Sequence, residues 1–315
     1  MNKAMLHLFA SLLVSMFLIS CAQEETWDTL TAKGRNAQQA NRLVEAEDYF
    51  LGALHIAQEL SDNDEQLSKS NFRLGMLYHY RGHYPKADYY YRKTLDVDKG
   101  LYGSPNRHVA TILNNLANVH IRQGQYTEAQ QLLTDSMAIW EELGESENMV
   151  YVTSLIQQAI VYREEERWTE SAKLFQHVLT LGEQIKGVDK GLAWDHWGLL
   201  YEQQGSLSKA EALYIQAVNW HETHYGRIDA QLAKSLTFLG SVSLKQGKLE
   251  QAELHLQRAL AIQEKIFGDT HPDLAITLEQ YAKLLRMEHH DEEARNLDSR
   301  IQSMNKRFSA PFVPK

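Results

Sequence analysis

Small residues recur along this chain at a nearly constant interval. Seven of them are separated by gaps of 41, 42, 42, 39, 42 and 42 residues, at Gly34, Gly75, Ala117, Ala159, Gly198, Gly240 and Ala282. Twelve positions after each stands a second small residue, at Ala46, Ala87, Ala129, Ser171, Ala210, Ala252 and Ala294. A fixed period of this length indicates a repeat architecture, so the chain is predicted to fold as a series of similar units.

Each unit is predicted to be a pair of antiparallel helices. Two helices approach within about 8–10 Å where neither carries a bulky side chain, which explains the paired small positions. Four glycines fall between the two positions and suit a helix end with left-handed backbone: Gly82, Gly124, Gly205 and Gly247. A large side chain follows the second small position by four residues in most units, at Phe50, Tyr91, Leu133, Phe175, Tyr214 and Leu256. This spacing places it on one helical face, and the sequence therefore predicts an all-α chain of about seven helical hairpins.

The pattern resembles the tetratricopeptide repeat (TPR) over residues 27–304, and its period of about 42 residues resembles the kinesin-light-chain subtype. The inter-repeat segment of that subtype is matched by Leu101-Tyr102-Gly103, His224-Tyr225-Gly226 and Ile266-Phe267-Gly268. The resemblance implies an α-α superhelix, a TPR solenoid, whose first helices line a concave face. It also implies a protein that binds other proteins or peptides and has no enzymatic activity and no cofactor.

The first 20 residues have the layout of a secretory signal peptide, with Lys3 before an apolar run from Met5 to Ile19. Leu18-Ile19-Ser20-Cys21 resembles the bacterial lipobox, which implies cleavage before Cys21 and acylation of its sulfur by chains such as palmitate. Because several acyl chains give stable anchoring, the mature chain is expected to be a lipoprotein. Ala22 after the cysteine implies the outer membrane, with the protein facing the periplasm. An ordinary signal peptide with an incidental cysteine is the alternative.

Four segments follow from these patterns. They are a signal peptide (1–20), a lipidated N-terminus with a short tether (21–26), an array of seven repeats (27–304) and a C-terminal tail (305–315).

Composition excludes several functions. The formal net charge of -9 disfavours nucleic acid as a partner, since phosphate contacts need a basic surface. Pairs such as His79 with His83 and His221 with His224 lack the third ligand that a zinc site needs, so no metal is expected. No serine stands in a nucleophile-elbow setting, and the one cysteine is assigned to the anchor.

The candidate partner-binding groove lies on the first helices. In tetratricopeptide repeats, ligands contact positions two and three residues before the small residue and one residue after it. Asparagine and glutamine at such positions offer both donors and acceptors to a peptide backbone. The matching residues on this chain are Asn114, Asn115, Asn118, Gln157 and His196. Polar side chains that only keep the array soluble are the alternative.

These inferences predict a non-enzymatic scaffold or adaptor anchored by lipid in the bacterial cell envelope. A peptide-sensing receptor is one alternative, and a regulatory subunit of an envelope enzyme is another.

Overall fold

The computed structural model describes residues 25–60, 64–103 and 105–308, with side chains described up to residue 306. The signal peptide, Cys21 and the start of the tether lie outside the described residues. Within the described part of the chain, no helix is both long and apolar enough to cross a membrane.

Helices account for nearly all of the described chain. Those ranges contain fourteen helices and no strand: α1 (Trp27–Gln39), α2 (Leu43–Glu59), α3 (Asp64–Tyr80), α4 (Tyr84–Tyr102), α5 (Arg107–Arg122), α6 (Tyr126–Glu142), α7 (Met149–Glu164), α8 (Trp168–Gln184), α9 (Lys190–Gln203), α10 (Leu207–Tyr225), α11 (Ala230–Lys245), α12 (Leu249–Phe267), α13 (Leu274–Met287) and α14 (Asp291–Phe308). Consecutive helices pair as seven hairpins, which confirms the predicted all-α solenoid. The last helix continues past residue 304, where the repeat array was expected to end.

The small positions lie where the two helices of a hairpin cross. A Cβ atom added to Gly75 would lie 2.7 Å from Cδ1 of Tyr91, and one added to Gly240 would lie 2.7 Å from Cγ of Leu256. In both cases the large partner follows the small residue by 16 positions. Because side chains at this distance overlap, the crossing requires a small residue. The predicted register of the repeats is therefore correct.

The turn between α3 and α4 shows how a hairpin is closed. The backbone N–H of His83 donates to the carbonyl of Tyr78 at 2.8 Å, and that of Gly82 donates to His79 at 3.0 Å. These bonds satisfy carbonyls left free at the helix end and need a left-handed residue at Gly82, whose φ is +72°.

First and second helices are buried to different extents. Most residues of α11 are buried, because α11 packs both within its hairpin and against neighbouring repeats. By contrast, α12 buries one stripe that includes Ala252, Leu256 and Ala259. The first helices therefore form the inner layer of the superhelix and the second helices form its outer layer.

Candidate functional site

Side chains from first helices that are far apart in sequence meet in one interior space. Burial lowers the pKa of Lys234 on α11, and the charges of Arg122 on α5 and Arg163 on α7 lower it further. The charges of Asp273 and Asp195 raise it. Two contacts among these elements are direct, because Nη1 of Arg163 bonds Nδ1 of His196 on α9 at 3.0 Å and Arg122 forms an ion pair with Asp273. We call the space between the inner faces of α3, α5, α7, α9 and α11 the inner groove.

Two of the predicted groove residues are partly accessible. Asn115 and Asn118 are half-buried on α5, three residues apart on one helical face. Asn118 hydrogen-bonds His79 of the preceding repeat, whereas burial and the charge of Arg122 lower the pKa of that histidine. The amide of Asn115 is therefore more available to a ligand than the amide of Asn118.

The other three predicted groove residues are buried, which corrects the expectation that Gln157 faces the open channel together with Asn115 and Asn118. Asn114 is 5% exposed, Gln157 4% and His196 8%. Oε1 of Gln157 has no hydrogen-bond partner among the described residues. Nδ1 of His196 accepts from Nη1 of Arg163 at 3.0 Å, and burial together with nearby cations holds the pKa of this histidine well below its usual value.

Asn114 is buried because its position in the repeat joins neighbouring hairpins. Its Oδ1 accepts from Oγ of Ser154 on α7 at 2.9 Å. Two other contacts use the same two repeat positions, three residues before one small residue and five before the next. They are the bond from Ser235 to Asp195 at 2.6 Å and the contact between the hydroxyls of Thr237 and Thr277 at 2.7 Å. We call this recurring contact the repeat tie.

The tie at Asp195 belongs to a longer buried polar chain. Oγ of Ser235 also bonds Nδ1 of His221 at 2.8 Å, and Nε2 of that ring contacts Oδ1 of Asp189 at 3.1 Å. Burial raises the pKa of Asp195 to about 7, although His221 and the Ser235 bond oppose the shift. Serine, histidine and aspartate are the residue types of a hydrolase triad. Here Ser235 and His221 are fully buried, so a substrate would not reach the hydroxyl.

A structural or catalytic metal site needs at least three converging protein ligands. Across the described ranges, no group of three or more histidine, cysteine, aspartate or glutamate side chains is placed to hold a metal ion.

Two cations of the inner groove, Arg122 and Lys234, are not among the residues predicted from the sequence. Arg122 lies four residues beyond Asn118, and Lys234 lies four residues before Phe238, which is itself at an inner position. Extending the candidate face by one helical turn in each direction would have found both residues. The described ion pairs include none for Lys234, whose ammonium lies 5.9 Å from the ring centre of Phe238.

The architecture is that of a helical-repeat binding protein. A family model described as tetratricopeptide repeat matches residues 28–100, 108–184 and 231–306, which is more than half of the chain. The chain therefore belongs to the tetratricopeptide-repeat family, and its repeats are of the kinesin-light-chain type.

One curated relative and two solved structures illustrate the likeness. Protein KINESIN LIGHT CHAIN-RELATED 2 of Arabidopsis thaliana is 20% identical over 244 residues, 76% of this chain, and the chain spans 36% of the length of that relative. The crystal structure of a Rap protein complexed with Competence and Sporulation Factor aligns with a TM-score of 0.68 at 15% identity, covering 90% of this chain and 76% of that one. NprR in complex with its cognate peptide NprX aligns with a TM-score of 0.68 at 13% identity, covering 84% and 73%. At these identities the two structures establish the fold alone.

Proposed function

We propose that this chain is a non-enzymatic scaffold of the bacterial cell envelope, held by lipid at Cys21, that binds an extended segment of another protein in the inner groove. The observation that carries the proposal is the pair of half-buried amides at Asn115 and Asn118 on the inner face of α5. An amide side chain can donate to a carbonyl and accept from an N–H of the same peptide, so it binds backbone without selecting side chains.

Membership of the tetratricopeptide-repeat family supports a protein or peptide as the ligand. Second helices lack an inner face, so a partner bound there would contact the outer layer instead. A scaffold bound through the outer layer would therefore not depend on Asn115 or Asn118.

A paired substitution tests the groove. The double variant Asn115→Ala and Asn118→Ala removes two amides from α5. Each lost hydrogen bond weakens binding by about 0.5–1.5 kcal/mol, so partner affinity should fall roughly 5- to 150-fold. The measurement is quantitative capture from detergent-solubilised envelope with the full-length chain, followed by mass spectrometry.

The matched control is Gln216→Ala with Asn219→Ala. These two residues are exposed on the outer helix α10 and are also three positions apart. Loss of the partner by the inner variant but not by the outer one supports the proposal. Loss by the outer variant alone would place binding on the second helices.

The anchor is tested separately. We expect Cys21→Ala to yield an unprocessed or soluble product, because the resemblance to the lipobox assigns the acyl chains to that cysteine and their loss removes the anchor. Membrane fractionation and intact mass measure the outcome. If the variant fractionates with the outer membrane as the wild type does, the lipid anchor is excluded.

A peptide-sensing receptor is the second candidate, favoured by the fold likeness to a peptide-binding protein. NprR was solved with its cognate peptide and has a similar superhelix. A receptor of this kind should gain thermal stability from a peptide-only fraction, since a ligand that binds only the folded state raises the melting temperature. A scaffold should respond to envelope proteins and not to that fraction.

A further inference from the structure

The segment before the last repeat, residues 266–273, reaches across the superhelix to the first three repeats. We call it the closing segment. Nδ2 of Asn41 donates to the carbonyl of Ile266 at 2.7 Å, and Nε2 of His271 donates to the carbonyl of Tyr80 at 2.6 Å. Asp273 forms an ion pair with Arg122 at the end of α5. The closing segment therefore contacts repeats one, two and three, although it belongs to the junction of repeats six and seven.

Both nitrogens of the His271 ring are engaged in this contact. Nε2 binds the Tyr80 carbonyl, while Nδ1 accepts from the backbone N–H of Asp273 at 3.2 Å. The ring stacks on Phe267 with centres 4.3 Å apart, and the ring of Phe267 lies 5.6 Å from that of Tyr80. Aromatic packing thus stabilises the same contact as the hydrogen bonds.

The turn between α3 and α4 approaches the closing segment too closely for a side chain. A Cβ atom added to Gly82 would lie 2.6 Å from Cγ of Pro272. Gly205 occupies the equivalent turn between α9 and α10 with nearly the same φ, +74° against +72°, and would meet nothing within 4 Å. The close approach is therefore specific to the turn that faces the closing segment.

The closing segment also borders the inner groove. Burial opposes ionisation of Asp273, but the charges of Arg122, His271 and Lys234 lower its pKa. The direct contact is the ion pair of Asp273 with Arg122, which stands at the end of the inner helix α5.

We infer that the closing segment is an autoinhibitory latch, which holds the superhelix shut around the inner groove and must leave the first three repeats before a partner segment enters. Competition with a partner rests on the proposed function. The closure itself does not, because it is measurable without any partner.

Gly82→Ala and Gly205→Ala form the decisive pair of variants. Both place a methyl group on left-handed backbone, so the local strain in the turn is the same. Only Gly82→Ala pushes against Pro272. Hydrogen exchange measured by mass spectrometry on the full-length chain should therefore accelerate across residues 266–273 by about tenfold in Gly82→Ala, since overpacking a close contact shifts a local opening equilibrium. In Gly205→Ala the same segment should exchange as in the wild type.

Access to the groove is read by labelling Lys234 with a water-soluble biotin N-hydroxysuccinimide ester. We expect its rate of biotinylation to rise about tenfold in Gly82→Ala and in His271→Leu, which removes the bond to the Tyr80 carbonyl, in proportion to the open population. Lys99, which is exposed on α4, is the internal reference and should react equally in every variant. Asp269→Asn changes an exposed carboxylate in the same segment and should leave Lys234 protected.

Faster exchange and faster labelling in the two latch variants alone support the inference. Equal exchange of residues 266–273 in Gly82→Ala and Gly205→Ala overturns it, as does labelling of Lys234 in the wild type at the rate of Lys99. If the latch variants behave as expected while Asn115 and Asn118 prove dispensable for capture, the groove proposal fails and the latch stands.

Discussion

The repeat tie has the same geometry at two junctions but different chemistry. Between repeats three and four, Asn114 accepts from Ser154, and both groups are neutral. Between repeats five and six, Asp195 accepts from Ser235, which also bonds the buried ring of His221. A neutral tie can be lost at the cost of one hydrogen bond. A buried ionisable chain leaves an uncompensated group when one member is removed, so the junction of repeats five and six depends far more on its polar residues.

Removing His221 should produce the largest effect. His221→Leu takes away the ring that joins Ser235 to Asp189 and leaves that hydroxyl and that carboxylate facing an apolar side chain. Each buried polar group that loses its partner costs about 1–3 kcal/mol of unfolding free energy. Urea unfolding followed by circular dichroism measures the loss. His177→Leu, an exposed histidine on α8, is the control and should stay within about 0.5 kcal/mol of the wild type.

The second-largest effect should be a difference between the two repeat ties in the pH dependence of stability. Burial raises the pKa of Asp195 to about 7 from its ordinary value of 3.8, against the opposing effects of His221, Lys234 and Ser235. The folded state then binds more protons than the unfolded state between those two values, so this residue's contribution to stability falls as pH rises through that window. Asp189 faces the same group and favours the protonated form.

The measurement is the difference in unfolding free energy between the wild type and Asp195→Asn. Relative to the variant, the wild type should become less stable from about pH 4 to about pH 7, and the difference should then stay constant. Asn114→Ala serves as the comparison, because neither asparagine nor alanine titrates and the difference in unfolding free energy should not depend on pH. A flat difference for Asp195→Asn would mean that the carboxyl titrates normally.

The smallest loss of stability is expected at the neutral repeat tie between Asn114 and Ser154. Asn114→Ala removes one acceptor, and Ser154 keeps its bond to the carbonyl of Val150 at 3.0 Å. The loss should be about 0.5–1.5 kcal/mol in urea unfolding. Partner capture should be unchanged, because the side chain joins two repeats instead of facing the groove. If Asn114→Ala keeps the stability of the wild type but no longer captures the partner, Asn114 belongs to the binding surface.

Local periodicity explains how much of the fold could be predicted. The contact between Gly75 and Tyr91 recurs at the same spacing in three other hairpins, between Gly34 and Phe50, Gly198 and Tyr214, and Gly240 and Leu256, so a single chain shows it several times. The burial of Asn114 could not be predicted in the same way. Asn114 and Asn115 are the same residue type at adjacent positions, and only the contact of Asn114 with Ser154 in the next repeat shows which of the two is covered.

The closing segment was beyond sequence analysis for a different reason. Its contact with Tyr80 depends on the small rotations between successive repeats, which accumulate over five hairpins. No local pattern near His271 specifies where that sum places the first repeats. The groove cations were missed because Arg122 and Lys234 lie one helical turn outside the positions that resemblance assigns to ligand binding.

Contacts between distant repeats change how this array should unfold. In an open solenoid each repeat contacts only its neighbours, so the ends fray first and the loss spreads inward. Here hydrogen bonds join residues separated by 225, 191 and 151 positions, at Asn41, Tyr80 and Arg122. These bonds give the first hairpins a second set of neighbours near the C-terminal end. We therefore expect the array to unfold more cooperatively than an open solenoid, so that deleting the last repeat also loosens the first three.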